Sequence, residues 1–181
     1  MGRSRLILVS GPSGAGKTTL ARPLALALGI SAFHKDDLKE MLFDTLPHTS
    51  DADRARFGVA SFALLARIAR AALPHGDVLI EANFDGRIAS AEWRTLVTEC
   101  GAQAFVIELD APPAVLAERS AQRMRDGTRH PGHTSAAPGI LRPLDLGAPA
   151  LRLDATLPAD QLLVLSLAWL QGGGTERAGT S

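Results

Sequence analysis

Residues 10–20 read SGPSGAGKTTL: three glycines, a lysine and two threonines where the apolar run RLILVS (5–10) gives way to helical spacing. Glycine packs poorly and loses much backbone freedom on folding. A cluster of it in one turn implies a backbone that must curl where side chains would obstruct. Curled in that way, successive N–H groups face one concavity suited to anionic oxygens. A helix starting at Lys17 would add the positive end of its dipole.

The octapeptide Gly11, Pro12, Ser13, Gly14, Ala15, Gly16, Lys17, Thr18 matches G-x-x-x-x-G-K-[ST], the P-loop, between the strand and helix that the motif requires. Lys17 is then expected to reach the β- and γ-phosphates of a nucleoside triphosphate, and the Thr18 hydroxyl to ligate Mg²⁺, with Thr19 beside them. The spacing does not fit G-x-G-x-x-G, which disfavours a dinucleotide fold.

Outward from the loop, strands and helices alternate. Strand signals lie at 5–10, 30–33, 77–82, 103–110 and 150–155. Helical patterns run from Lys17 to Leu28 with Gly29 as C-cap, over 36–46 with Leu38, Met41, Leu42 and Leu46 inward, and from Ala52 to Leu73 behind a Thr49 or Ser50 cap. The inner stripe of that long helix is read as Phe57, Ala60, Leu64, Leu65 and Ile68. Further helices follow at 87–99, from the prolines at 112–113 to Arg125, and at 158–171. This order predicts an α/β/α three-layer fold around a five-stranded parallel sheet, as one domain over 1–171 with a disordered tail at 172–181. Residues 126–149, rich in Gly, Pro, His and Arg, read as loop or mobile lid, the lid taken to span about 119–142. Ligands of such sheets bind beyond the carboxyl ends of the strands. There Gly11–Thr18, Asp36 and Asp37, Glu81 and Asn83, and Asp110 would gather.

Composition narrows the classes. The 181 residues carry no formal net charge, so no global field favours nucleic acid or an anionic membrane. The single Cys100 excludes an internal disulfide and a thiolate zinc cluster. The N-terminal apolar run is too short for a secretory signal, and no run reaches the roughly 18 apolar residues of a membrane span. A cytoplasmic protein is expected. Arginine dominates the cations, and the three lysines, Lys17, Lys35 and Lys39, all fall near the loop or just after the second strand. That distribution suits sites needing a compact ammonium.

The stretch FHKDDLKEM (33–41) places Lys35, Asp36, Asp37 and Lys39 at the end of the second strand. With the P-loop, this pattern resembles the P-loop kinases of small molecules and polynucleotide 5′-hydroxyls, a group that includes chloramphenicol phosphotransferase and zeta toxins. The resemblance implies that Asp36 takes the acceptor proton, which suits a carboxylate beside an attacking hydroxyl. It also implies that Lys39 binds the acceptor. Asp36 and Asp37 could equally serve the start of a helix. DVLIEANF (77–84) holds the Walker B position, with Glu81 in place of the usual Asp and able to hold Mg²⁺ through water, and Asn83 and Arg87 follow on the acceptor side. Arg119 and Arg123, four apart on one helix face, correspond to the lid arginines that clamp the triphosphate in that group. Glu118 and Asp126 could instead pair with these arginines on an ordinary surface. His130 and His133, across Pro131-Gly132, would contact substrate or shape the lid; a third ligand for a metal is not evident.

The expected activity is ATP- and Mg²⁺-dependent phosphoryl transfer to a hydroxyl of a small molecule such as a sugar, antibiotic or nucleoside. A polynucleotide 5′-hydroxyl kinase is the alternative in the same chemistry, disfavoured by zero net charge and few aromatic residues. An ATP-binding regulatory or toxin-like P-loop protein is the alternative outside it.

Overall fold

Leu6 to Ser10 are all buried, so this strand reads as an unbroken apolar run instead of an alternation. It is β1 (Arg5–Ser10) of a computed structural model that describes residues 2–48, 50–127, 130 and 141–175. With β2 (Ser31–His34), β3 (Val78–Glu81), β4 (Gln103–Asp110) and β5 (Ala150–Asp154) it forms one parallel sheet ordered β2-β3-β1-β4-β5. The chain winds from β1 to one flank, returns through β3, then crosses to β4 and β5. Winding reverses at β1, and its carboxyl end is where such a sheet opens a ligand crevice.

Both faces are covered. Ile7 and Val9 pack with Leu20 and Leu24 of α1 (Lys17–Leu28) and with Leu162 and Trp169 of α6 (Ala159–Gln171). Leu6 and Leu8 pack with Leu65 and Ala69 of α3 (Asp51–Ala72) and with Trp93 and Leu96 of α4 (Gly86–Glu99). The three-layer expectation is thus met. Gly29 ends α1 at φ 66°, and its N–H bonds the carbonyls of Ala25 and Leu26. Ser50 starts α3 with a reciprocal capping box to Asp53, worth about 1 kcal/mol; Thr49, the other candidate cap, lies outside the described residues.

Two helix faces differ from the sequence reading. In α2 (Lys35–Thr45), Met41 and Leu46 beyond its end are 61% and 45% exposed, while Phe43 is 3% exposed. Helical spacing alone could not choose between these stripes; the aromatic contact of Phe43 with Phe57 settles it. In α3, Leu64 is exposed, Ala60 and Ile68 are half-buried, and beyond the cap-bound Asp53 the buried set is Phe57, Ser61, Leu65, Ala66 and Ala69. The helical run Asp51–His75 is long and apolar enough, by length and composition alone, to match a membrane span. It nevertheless carries Arg54, Arg56, Arg67 and Arg70, and its small-residue face lies on the sheet layer.

Residues 141–149, expected as loop, have no regular structure, yet they bury Leu144 and Leu146 in the α3/α4 layer. The Leu144 N–H donates to Glu108 Oε1 at 2.7 Å and the Asp145 N–H to Ser90 Oγ at 3.0 Å. Gly86 donates its N–H to the Arg142 carbonyl at 2.9 Å, and a Cβ there would lie 1.9 Å from the Pro143 carbonyl oxygen. Residues 172–174 turn back from α6, with Gly173 and Gly174 at positive φ; 176–181 of the expected tail lie outside the described residues.

Gly86→Ala should therefore destabilise the fold by about 1–3 kcal/mol through overpacking alone, and speed hydrogen exchange of the Leu144 amide. Gly58→Ala, in open space on α3, should be neutral or stabilise by up to about 1 kcal/mol. Denaturant titration with amide exchange checks both.

Candidate active site

The P-loop crosses the end of β1 pressed against its neighbours. A Cβ on Gly11 would stand 2.4 Å from the Leu109 carbonyl oxygen, and one on Gly14 2.6 Å from that of Leu116; both residues have positive φ. Glycine is required there by backbone approach as well as by conformation. Gly16, also at positive φ, is the N-cap of α1, with no side chain capping the helix and no acidic residue in its first turn. The amide-bearing end of the helix keeps its positive field for an anion.

Lys17 Nζ donates to the Pro12 carbonyl at 3.0 Å, folding the ammonium back over its own loop. Loss of hydration in that enclosure holds its pKa below the usual 10.5, against the opposing pull of Glu81 and Asp36. Lys35 and Arg123 push it the same way as burial. A polyanion is the partner that would relieve this.

The Thr18 hydroxyl donates to Glu81 Oε2 at 2.9 Å, and His34 Nδ1 lies 3.0 Å from the same oxygen. The parallel register sets His34 opposite Glu81 on adjacent strands. Glu81 therefore stands beside the P-loop threonine, as the Walker B position demands. Among the described residues no three His, Cys, Asp or Glu side chains form a metal cluster. Hydroxyl and carboxylate together still fit Mg²⁺, which is ordinarily held by one or two protein oxygens, phosphates and water.

On the next strand end, Lys35 is buried and bonds Asp36 Oδ1 at 2.8 Å and Asn83 Oδ1 at 2.9 Å, with the Phe62 ring 5.8 Å away. Asp37 points elsewhere, to Arg22 at 3.3 Å on the surface. Lys39 lies 5.4 Å over the Phe43 ring. His130 stacks on Phe43 at 5.7 Å and meets Asp44 at 3.0 Å; His133 lies outside the described residues. Arg87 is held by Asp85, the N-cap of α4, at the exposed rim.

On the other side of the loop runs α5 (Pro113–Arg125), which takes in Arg119 and Arg123 as ordered helix. Arg123 Nη2 donates to Ser13 Oγ at 3.3 Å, and Arg119 Nη1 to the Ala155 carbonyl at 2.8 Å. Both line a cleft of about 600 Å³ with Gly14, Gly16, Thr19 and the Ala155–Pro158 turn after β5. A nucleotide whose phosphates lay on the loop would have room there for its base. Arg125 instead pairs with Glu118 at 2.6 Å, and Asp126 accepts from Gln122.

The structure thus joins Lys17, Thr18, Glu81, Asp36 and Asn83 in one polar edge, with Arg119 and Arg123 across the loop. It sets Arg87 at the rim and groups Lys39 with His130 over Phe43. Sequence reasoning marked Lys35 only as one of three lysines near the site and gave no role to His34 or to Ser120, whose Oγ lies 3.4 Å from Ser13 Oγ. The signal for the first two was their place directly before Asp36.

Strand, phosphate-type loop, helix and the parallel sheet define a P-loop nucleotide-binding protein with a kinase-like fold. The chain belongs to the AAA domain family, whose model matches residues 6–138. No curated protein matches it. A crystal structure of a presumed kinase from Chloroflexus aurantiacus is similar at 27% identity and TM-score 0.83, covering 92% of this chain and 98% of that one. A gluconokinase from Sinorhizobium meliloti (20% identity, TM-score 0.62, 96% and 95% covered) shares the fold. So does the APS kinase of Mycobacterium tuberculosis, solved with AMPPNP and APS (20%, 0.65, 94% and 99%).

The Arg87 hydrogen bonds hold the Asp85 carboxyl down at about 2, below its ordinary 3.8. A depressed folded pKa gives stability that is present above the unfolded value and lost as pH falls through the folded one. Asp85→Asn keeps a capping oxygen without the charge. Wild type should melt higher than Asp85→Asn above pH 4, with the gap closing towards pH 2, in thermal melts from pH 2 to 6. Parallel curves would contradict the assignment.

Proposed function

We propose that this chain is an ATP- and Mg²⁺-dependent kinase that transfers the γ-phosphoryl group to a hydroxyl of a small molecule, with residues 1–171 as one catalytic unit in the cytoplasm. One observation carries the reading. Asp36 stands on the same strand edge as the P-loop, close enough to act on the charge of Lys17, and is bound by a buried ammonium. A carboxylate placed there can orient and deprotonate an acceptor hydroxyl. The resemblance to the chloramphenicol phosphotransferase and zeta-toxin group, and the gluconokinase and APS kinase among structural neighbours, support the same class.

In this mechanism the P-loop amides and Lys17 bind the β- and γ-phosphates, and the base occupies the cleft under Arg119. Asp36 orients the acceptor hydroxyl and takes its proton as the oxygen attacks the γ-phosphorus. The bond from γ-phosphorus to the bridging oxygen breaks and ADP leaves. Lys17 and Arg123 offset the charge that spreads over the phosphoryl oxygens, a task suited to a delocalised, forked cation. Mg²⁺, when bound beside Thr18 and Glu81, would neutralise phosphate charge. Lys35 holds the Asp36 carboxylate in place, while Asn83, Lys39 and Arg87 flank the acceptor. Of the residues read as the lid, Arg119, Arg123 and His130, the last docked on Phe43 and Asp44, would stand over the bound nucleotide; His133, the other expected contact, lies outside the described residues. Water is thereby excluded and idle hydrolysis suppressed.

The test is an ADP-release screen over sugars, nucleosides, amino alcohols and antibiotics, with product mass as confirmation. Acceptor-dependent turnover is expected in wild type and should fall about 10²–10⁴-fold in Asp36→Ala, the range for a lost general base, with ATP affinity within about threefold. Full turnover in Asp36→Ala would refute the base. Slow, acceptor-independent hydrolysis with every compound would favour a regulatory ATPase.

A further inference from the structure

A glutamate at the metal-bearing strand end has one more rotatable bond than the usual aspartate. Unless something fixes that bond, its carboxylate must be ordered anew each time an ion binds. Here both hydrogen bonds to Glu81 converge on one oxygen: the Thr18 hydroxyl at 2.9 Å and His34 Nδ1 at 3.0 Å both meet Oε2. Oε1 accepts no bond from a described residue. The His34 and Glu81 side chains are only 8% and 5% exposed, so neither swings freely. Their strands are locked in register at this pair, His34 against Glu81. No other described side chain bonds the His34 ring.

Thr18 alone would not hold this carboxylate once its oxygen turned towards an ion. The imidazole is the second donor, and it comes from the rigid end of a strand. We propose that His34 is a positioning residue whose Nδ1–H fixes Glu81 through Oε2 and leaves Oε1 to serve Mg²⁺ or its water beside Thr18. The inference rests on the Mg²⁺-nucleotide reading above and deepens it. Partners of this kind to metal-bearing groups commonly govern ion affinity. His34 also begins the run His34-Lys35-Asp36, so the strand end that steadies the ion's carboxylate also carries the acceptor's base.

Mn²⁺ with ADP is the probe, followed by electron paramagnetic resonance of free Mn²⁺, so no acceptor is needed. His34→Leu should require about 10–100-fold more Mn²⁺ for half-saturation of the protein–ADP complex, the usual cost of losing such a partner. His34→Asn, whose amide N–H can stand near the Nδ1 position, should recover most of that loss. Metal-free ADP affinity and the melting temperature should stay close to wild type in both. A wild-type Mn²⁺ curve in His34→Leu overturns the proposal. So does equal weakening in His34→Asn, which would mark a role in packing only. Should His34→Leu fail to fold, long-range ¹H–¹⁵N spectra of wild type decide: a proton on Nδ1 is expected, and an unprotonated Nδ1 overturns the assignment. Wild type that binds no ADP, with or without Mn²⁺, would strike down the kinase reading itself. Binding by wild type with an indifferent His34→Leu strikes down this inference alone.

Discussion

The site depends on backbone meeting backbone. The P-loop lies so close to β4 and α5 that a single methyl group at Gly11 or Gly14 would intrude on the carbonyls of Leu109 or Leu116. That contact fixes the loop against its neighbours from outside, while the Lys17 ammonium folds back onto the Pro12 carbonyl. Its amides are therefore aimed before any ligand arrives, which is what gives fixed dipoles their effect. The buried parallel sheet supplies the rigidity. β1 is hydrogen-bonded to β3 on one side and β4 on the other, and its carboxyl end cannot shift without breaking both ladders.

From that fixed point the polar groups follow by register. Val9 pairs with Glu81, and Glu81 with His34, so the P-loop, Glu81 and the helix that carries Asp36 follow three neighbouring strands in the order β1, β3, β2. Each of three consecutive residues then has its own part. His34 meets Glu81, Lys35 meets Asn83, and Asp36 meets Lys35. Each polar group in this network thus has a hydrogen-bond or ion-pair partner, which buried polar groups require. Arg123, exposed on α5 across the loop and bonded to Ser13, stands where phosphate charge would have to be met.

Much of this was legible in the chain. The strand–loop–helix context around GPSGAGKT identified both the fold class and the phosphate site, because glycine spacing there answers to a single geometry. Thr18 beside Glu81, and Arg123 beside Ser13, follow from motif order. What stayed hidden depended on contacts across the chain. Helical spacing in α2 offered two apolar stripes, and only packing on Phe57 chose Phe43 over Met41. Leu144 and Leu146 looked like loop because their partners are 50 to 60 residues earlier on α4. His34 carried no motif; its meaning lies in a register with Glu81 that no local pattern encodes. Arg87 looked free in sequence, yet Asp85 two residues before it takes the guanidinium.

Calorimetric titration with Mg²⁺·ATP tests the central claim most directly, in wild type and in Lys17→Ala. A loop fixed as described should bind the nucleotide in a one-to-one complex, and removal of the ammonium should weaken it by at least about tenfold, the loss expected of one charge-assisted phosphate contact. Absence of binding in wild type, or equal affinity in the two proteins, would contradict the account at its base.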